Sequence, residues 1–251
     1  MTRPAGPNPL HTAGPAGPMP AGLTAPMPAW LTALAGAATE IRPEQLSRFV
    51  PPKTGGRPSA VLMLFGEGAG GPDVLLIERA TTMRSHAGQP AFPGGATDPG
   101  DDGAVGTALR EAAEEVGLDP ASVRVLAALP PLWLPPSGFI VTPVLAWWHT
   151  PHAVGPREPA EVATVRRVRV AELADPANRM QVRHPSGYVG AAFAVAGILV
   201  WGFTAGLLDK VLAVAGWERP WDTSRVLPLP AEAAELAART APLDATRDIS
   251  A

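Results

Sequence analysis

Three glutamates stand close together in the run Arg110-Glu111-Ala112-Ala113-Glu114-Glu115-Val116-Gly117. On a helix each residue turns by about 100° from the last. Val105, Ala108, Leu109, Ala112 and Val116 then share one apolar stripe. The glutamates fill an adjacent arc of roughly 100°, with Arg110 pointing to the other side. This arrangement is locally unfavourable. Glu111 and Glu115 are like charges at i,i+4, and all three carboxylates lie toward the helix C-terminus, where the helix dipole disfavours anions. Gly117 is the expected residue at which the helix ends. A bound divalent cation removes the conflict, because Mg²⁺ takes one or two carboxylates together with water and phosphate oxygens. A solvated acidic face is the alternative that the helix alone leaves open.

The preceding residues favour the cation. Phe92-Pro93-Gly94-Gly95-Ala96-Thr97-Asp98-Pro99-Gly100-Asp101-Asp102 leads into the helix. Two adjacent glycines let the backbone approach a metal or phosphate closely. A Gly-rich loop alone is a weak signal. Followed at fixed distance by Arg-Glu-x-x-Glu-Glu-x-Gly-Leu, it is a strong one.

This pattern resembles the Nudix box, in which a Gly, five residues, a Glu and seven residues precede Arg-Glu-aliphatic-x-Glu-Glu-x-Gly-aliphatic. Gly95 matches the opening Gly, and Arg110, Glu111, Glu114, Glu115, Gly117 and Leu118 match the closing half. Asp101 or Asp102 replaces the first Glu, and the spacing is one residue longer. Upstream, Leu75-Leu76-Ile77-Glu78-Arg79 and Met83-Arg84-Ser85-His86-Ala87-Gly88-Gln89-Pro90-Ala91-Phe92-Pro93-Gly94-Gly95 resemble the extra motif of the coenzyme A pyrophosphatase branch. That branch shares the longer box with Asp. The likeness runs from about Trp30 to Asp222 and includes Trp201-Gly202-Phe203-Thr204-Ala205.

The resemblance implies an α/β fold, a Nudix-type α/β/α sandwich with a mixed sheet. It implies Mg²⁺ or Mn²⁺ held by Glu111 and Glu115 near Gly95, with Glu114 a further ligand or a water-orienting base. Arg110 would hold the glutamates in place. Arg79, Arg84, His86 and Gln89 would recognise substrate phosphates or the nucleotide end, against the alternative that they brace the loop. Glu161, which with Glu158 precedes a strand, is a candidate general base from outside the box, against a solvated loop glutamate. Trp133 and its neighbouring prolines are read as a pocket wall or as packing. The implied reaction is hydrolysis of coenzyme A or acyl-coenzyme A to 3′,5′-ADP and 4′-phosphopantetheine or its acyl form. A diphosphatase for ADP-ribose or a dinucleotide is one alternative, and a non-catalytic binding or regulatory module is another.

The elements that must position these residues can be read from pattern. Short helices are expected at residues 28–31 onward and 43–49. Residues 60–65 and 74–78 read as a hairpin of strands, and residues 81–99 as a long irregular loop. The glutamate helix spans residues 103–116. Strands are expected next at residues 123–129, 139–148 and 162–170, with residues 130–136 a rigid apolar loop. Residues 188–208 carry no charge. They read as two short strands around Gly197 and the start of a helix at residues 201–215, rather than as a membrane span. A last helix is expected at residues 231–238.

Residues 1–27 are a Pro/Gly/Ala-rich tract expected to be disordered. Residues 28–226 are assigned to the Nudix domain, and residues 227–251 to a C-terminal helix and loose tail. The 251-residue chain has no cysteine, so disulfides and thiolate chemistry are excluded. Its formal net charge of −3 gives no sign of nucleic-acid binding. With no apolar leader at the start, a cytoplasmic protein is expected. The expected partner is a small-molecule substrate, with no nucleic acid and no membrane, and a homodimer left open.

Overall fold

The computed structural model describes residues 26–47, 51–52, 54–83, 87–135 and 137–240. In chain order the elements are α1 (Ala29–Ala38), α2 (Pro43–Leu46), β1 (Arg57–Gly68), β2 (Gly71–Arg79), β3 (Pro90–Ala91), β4 (Gly94–Ala96) and α3 (Gly103–Val116). Then come β5 (Val123–Ala128), β6 (Leu132–Leu134), β7 (Phe139–Trp148), β8 (Val162–Arg169), α4 (Val170–Ala174) and β9 (Arg179–Arg183). The chain continues through β10 (Val189–Val195), β11 (Ile198–Val200), α5 (Gly202–Val214), β12 (Val226–Pro228) and α6 (Ala231–Thr240).

Among the described residues the strands form two sheets. The larger has the central order β3-β2-β1-β7-β5, with β4, β6 and β8 paired to β1, β7 and β2. It is mixed: β1 runs parallel to β7 and antiparallel to β2. Its central strands are apolar on both faces because both faces are covered. On β1, Ala60, Leu62 and Leu64 face one cluster with Ala108, Ala112 and Val116 of α3. The alternate residues Met63 and Phe65 face a second cluster with Leu31 and Leu34 of α1 and Leu207, Leu208, Val211 and Leu212 of α5. Strand period two therefore divides one apolar run between two cores. The result is the expected α/β/α sandwich.

Four sequence-based expectations are corrected. Residues 81–99 contain β3 and β4, because Pro90 and Ala91 pair with Glu78 and Ile77 of β2, and Gly94 and Gly95 with Val61 and Ala60 of β1. Residues 130–136 contain β6, where Trp133 pairs with Ile140. The expected strand at residues 162–170 ends at Arg169, and α4 begins at Val170. The unpredicted second sheet has the order β11-β10-β9-β12. Its β10–β11 hairpin turns at Gly197 as expected. No helix among the described residues is long and apolar enough to cross a membrane. The expected boundary at residue 226 falls on the first residue of β12, which pairs with β9. The N-terminal tract up to residue 25, the end of the expected helix at residues 43–49, and residues 241–251 lie outside the described residues.

Candidate active site

The site is built where β4 meets α3. Gly94 has φ +155°, and a Cβ there would sit 2.2 Å from the Ala60 carbonyl oxygen, so only glycine fits. Its N–H donates to Glu115 Oε2 at 3.0 Å. Gly95 faces the other glutamate, since a Cβ there would meet the Glu111 carboxylate at 2.4 Å. The two glycines therefore serve different ends: one fixes Glu115 and the other makes room for Glu111.

Arg110 does not point away from the glutamates, as the helical wheel suggested. Its guanidinium is long enough to swing across the arc. Nε and Nη2 donate to Asp101 at 2.8 and 3.1 Å, and Nη1 donates to Glu114 at 2.9 Å. Nη2 also lies 3.0 Å from Glu111 Oε1 and donates to the Ala96 carbonyl at 3.0 Å. Asp101 accepts as well from the Thr107 hydroxyl and the Asp98 N–H. Asp101 is thus the partner that fixes Arg110. Asp102 occupies the N-cap position without a side-chain capping bond.

A second acidic segment closes on the helix end. Gly117 adopts φ +72° and ends α3 as expected. Arg157 N–H donates to the Glu115 carbonyl at 2.9 Å, and Gly155 N–H to the Val116 carbonyl at 3.1 Å. These bonds satisfy carbonyls that a helix end otherwise leaves open. They bring Glu158 and Glu161 beside the helix. Glu111, Glu114, Glu115, Glu158 and Glu161 line one cleft of 260 Å³. Glu158, weighed in the sequence only as a neighbour of Glu161, belongs to the same lining; its three-residue spacing from Glu161 was the available signal.

Burial pushes the Glu115 carboxyl up to about 7, against the Gly94 N–H and the charge of Arg79. Glu111 and Glu161 push it further in the same direction. Burial also raises Glu111, against Arg110. Among the described residues no three carboxylate or imidazole side chains already converge as a complete cation shell. The donor set nonetheless suits a hard divalent cation, which takes oxygen ligands and retains water. Such a cation would favour the charged forms that burial and crowding oppose.

Among the described residues, the other predicted ones stand outside the cleft lining. Arg79 ends β2, near enough for its charge to act on Glu115. Its Nε is buried without a hydrogen-bond partner among the described residues. Gln89 is held against Arg79, since Arg79 N–H donates to the Gln89 carbonyl at 3.1 Å. Arg84 and His86 lie outside the described residues. Trp133 sits on β6 beside Ile140 and is not part of the cleft lining.

Residues 56–187 match the NUDIX domain family. Over 101 residues the chain is 46% identical to the uncharacterized Nudix hydrolase NudL of Photorhabdus laumondii, a stretch covering 40% of this chain and 53% of that protein. Over 74 residues it is 55% identical to NudL of Pectobacterium atrosepticum, covering 30% and 38%. The match thus spans about half or less of these curated relatives. A solved Nudix hydrolase of M. smegmatis, RenU, aligns with a TM-score of 0.47 at 22% identity, over 67% of this chain and 91% of that one.

Proposed function

Because the chain belongs to the Nudix family, whose domain matches more than half of it, we propose that it is a metal-dependent hydrolase of a diphosphate bond. The observation that carries this reading is the cleft lined by Glu111, Glu114, Glu115, Glu158 and Glu161. A diphosphate brings its own negative charge to that cleft, so carboxylates alone would repel it. Glu111 and Glu115 are the residues that would hold Mg²⁺ or Mn²⁺, with Glu114 a further ligand and the Gly95 backbone alongside. The bound cation would neutralise phosphate charge and lower the pKa of an attacking water.

The chain's own residues do the rest. Arg110 holds Glu111 and Glu114 in register with Asp101. Glu161, carried on the segment docked to the helix end, is the proposed general base. Arg79, whose buried Nε has no partner among the described residues, is suited to a phosphate oxygen. Arg84, His86 and Gln89 complete the proposed substrate segment. The finer proposal is that the substrate is coenzyme A or an acyl-coenzyme A, cut to 3′,5′-ADP and 4′-phosphopantetheine or its acyl form. It is supported by the likeness of residues 75–95 to the coenzyme A pyrophosphatase branch.

The test offers coenzyme A, acyl-coenzyme A and ADP-ribose to the purified protein with Mg²⁺ or Mn²⁺ and identifies the products by mass. Release of 3′,5′-ADP is expected. Turnover of ADP-ribose alone would replace the finer proposal with the other diphosphatase. No turnover of any substrate would favour a binding module. Glu115→Gln keeps an acceptor for Gly94 N–H but loses the charge. It should cost more than the roughly 100-fold that outer partners of a metal site cost, with unchanged melting.

A further inference from the structure

We propose that Thr204, at the start of α5, is a positioning residue for substrate binding. It acts by tying the C-terminal sheet-and-helix unit to residues 87–91, which are bonded to Arg79. This rests on the reading of Arg79 and Gln89 as substrate-binding residues.

Three observations converge on it. First, residues 88 and 89 are bonded to Arg79: Arg79 N–H donates to the Gln89 carbonyl at 3.1 Å, and Gly88 N–H to the Arg79 carbonyl at 3.0 Å. Second, the buried Thr204 hydroxyl donates to the Pro90 carbonyl at 3.1 Å, across 114 residues of sequence. As the third residue of α5, Thr204 has no carbonyl of its own helix three or four residues back for its hydroxyl to bond. Here the hydroxyl reaches out instead, to the residue after Gln89. Third, Arg166 on β8 holds the Arg79 side. Its Nε donates to Glu78 at 2.8 Å, next to Arg79, and its Nη1 donates to the Ala196 carbonyl at 3.3 Å. Ala196 caps the β10–β11 hairpin with φ +50°. That conformation is unfavourable for an L-residue and persists where the surroundings enforce it.

One tie is thus made by Thr204, beyond residue 187 where the family match stops, and the other by Arg166, inside the match, whose Nη1 reaches Ala196 beyond it. The hydrogen bonds and ion pairs described for Glu111, Glu114 and Glu115 come from Gly94 and Arg110, not from α5. A tie made at Pro90 therefore acts on the substrate side first, and so on binding more than on the chemical step.

The test compares wild type, Thr204→Val and Thr204→Ser by amide hydrogen exchange and steady-state kinetics. Loss of one hydrogen bond should speed exchange at Arg79 and in residues 87–91 by roughly three- to tenfold, while α3 exchanges as in wild type. KM should rise by a similar factor with a smaller change in kcat, and Thr204→Ser should restore both. Unchanged exchange at Arg79 and in residues 87–91 overturns the proposal. So does faster exchange with KM unmoved, or equal loss in the serine variant. If Thr204→Val does not fold, Arg166→Gln reads the same segment from its other anchor, with faster exchange expected and unchanged exchange decisive against. Should wild type turn over none of the diphosphates, the proposed function fails, while the exchange arm still reads the tie.

Discussion

Asp101 carries more of the site than its place in the loop suggests. Its side chain is only 5% exposed and meets Arg110 at 2.8 Å. The hydrogen bond from Arg110 holds its carboxyl well below the usual carboxylate range. Arg110 in turn contacts Glu111 and Glu114, so Asp101 orients two glutamates without touching the cleft itself. Asp101→Asn should lower turnover by about 10- to 100-fold, as loss of an outer partner does at a metal site. Asp102→Asn should leave it within error. The pH dependence has a definite sign. A carboxylate whose folded value is depressed contributes stability above its ordinary value and loses it as pH falls through the folded one. The stability gap between wild type and Asp101→Asn should then be constant from neutral pH down to about 5 and close as pH falls through 3.8 and below. Denaturant melts at stepped pH measure it; a gap that closes nearer neutrality would remove Asp101 from this role.

At the scale of elements, α3 was legible in the sequence to the residue, and the reason is physical. Its apolar stripe, its charge pattern and the glycine that ends it all act within one or two turns. Its surroundings were less legible. β3, β4 and β6 are two or three residues long, and each exists because a longer strand offers a partner. No local periodicity can announce such a strand. The direction of Arg110 was misread for a related cause, since a helical wheel places Cα atoms and a guanidinium reaches several ångströms beyond. The glycines flanking α3 separate site from scaffold. Gly95→Ala would put a methyl into the Glu111 carboxylate while leaving an ordinary backbone. It should abolish turnover with little loss of stability. Gly117→Ala must hold φ +72° and would crowd Arg157 Nε at 2.5 Å. It should cost about 1–2 kcal/mol in a denaturant melt and loosen the segment that carries Glu158 and Glu161. Equal effects of the two changes on activity and stability would contradict this division.

For the whole molecule, the family match and the folded unit do not have the same limits. The match ends at residue 187, yet residues beyond it cover one face of the main sheet. Leu207, Leu208, Val211 and Leu212 of α5 are each 1–2% exposed and pack with Met63, Phe65 and Leu76. Arg179 of β9 is buried and ion-paired to Asp209 of α5 and Glu218 beyond it, with its guanidinium 4.5 Å from the Trp221 ring centre. A buried charge left without its partners is strongly destabilising. The sequence showed the apolar run at residues 188–208 but not that it belongs to a second sheet, because β9 and β12 pair across more than forty residues and neither alternates strongly. A chain ending at residue 187 would therefore expose an apolar sheet face and strand Arg179. Each of the four α5 side chains contributes about 1.5–3 kcal/mol by burial, and a domain's whole stability is only about 5–15 kcal/mol. The truncated chain should lose cooperative unfolding and near-ultraviolet dichroism even though the entire glutamate helix is present. A truncated chain that melts cooperatively near the wild-type temperature would show that residues 1–187 fold without the rest and that the C-terminal unit is an addition to the site rather than part of its core.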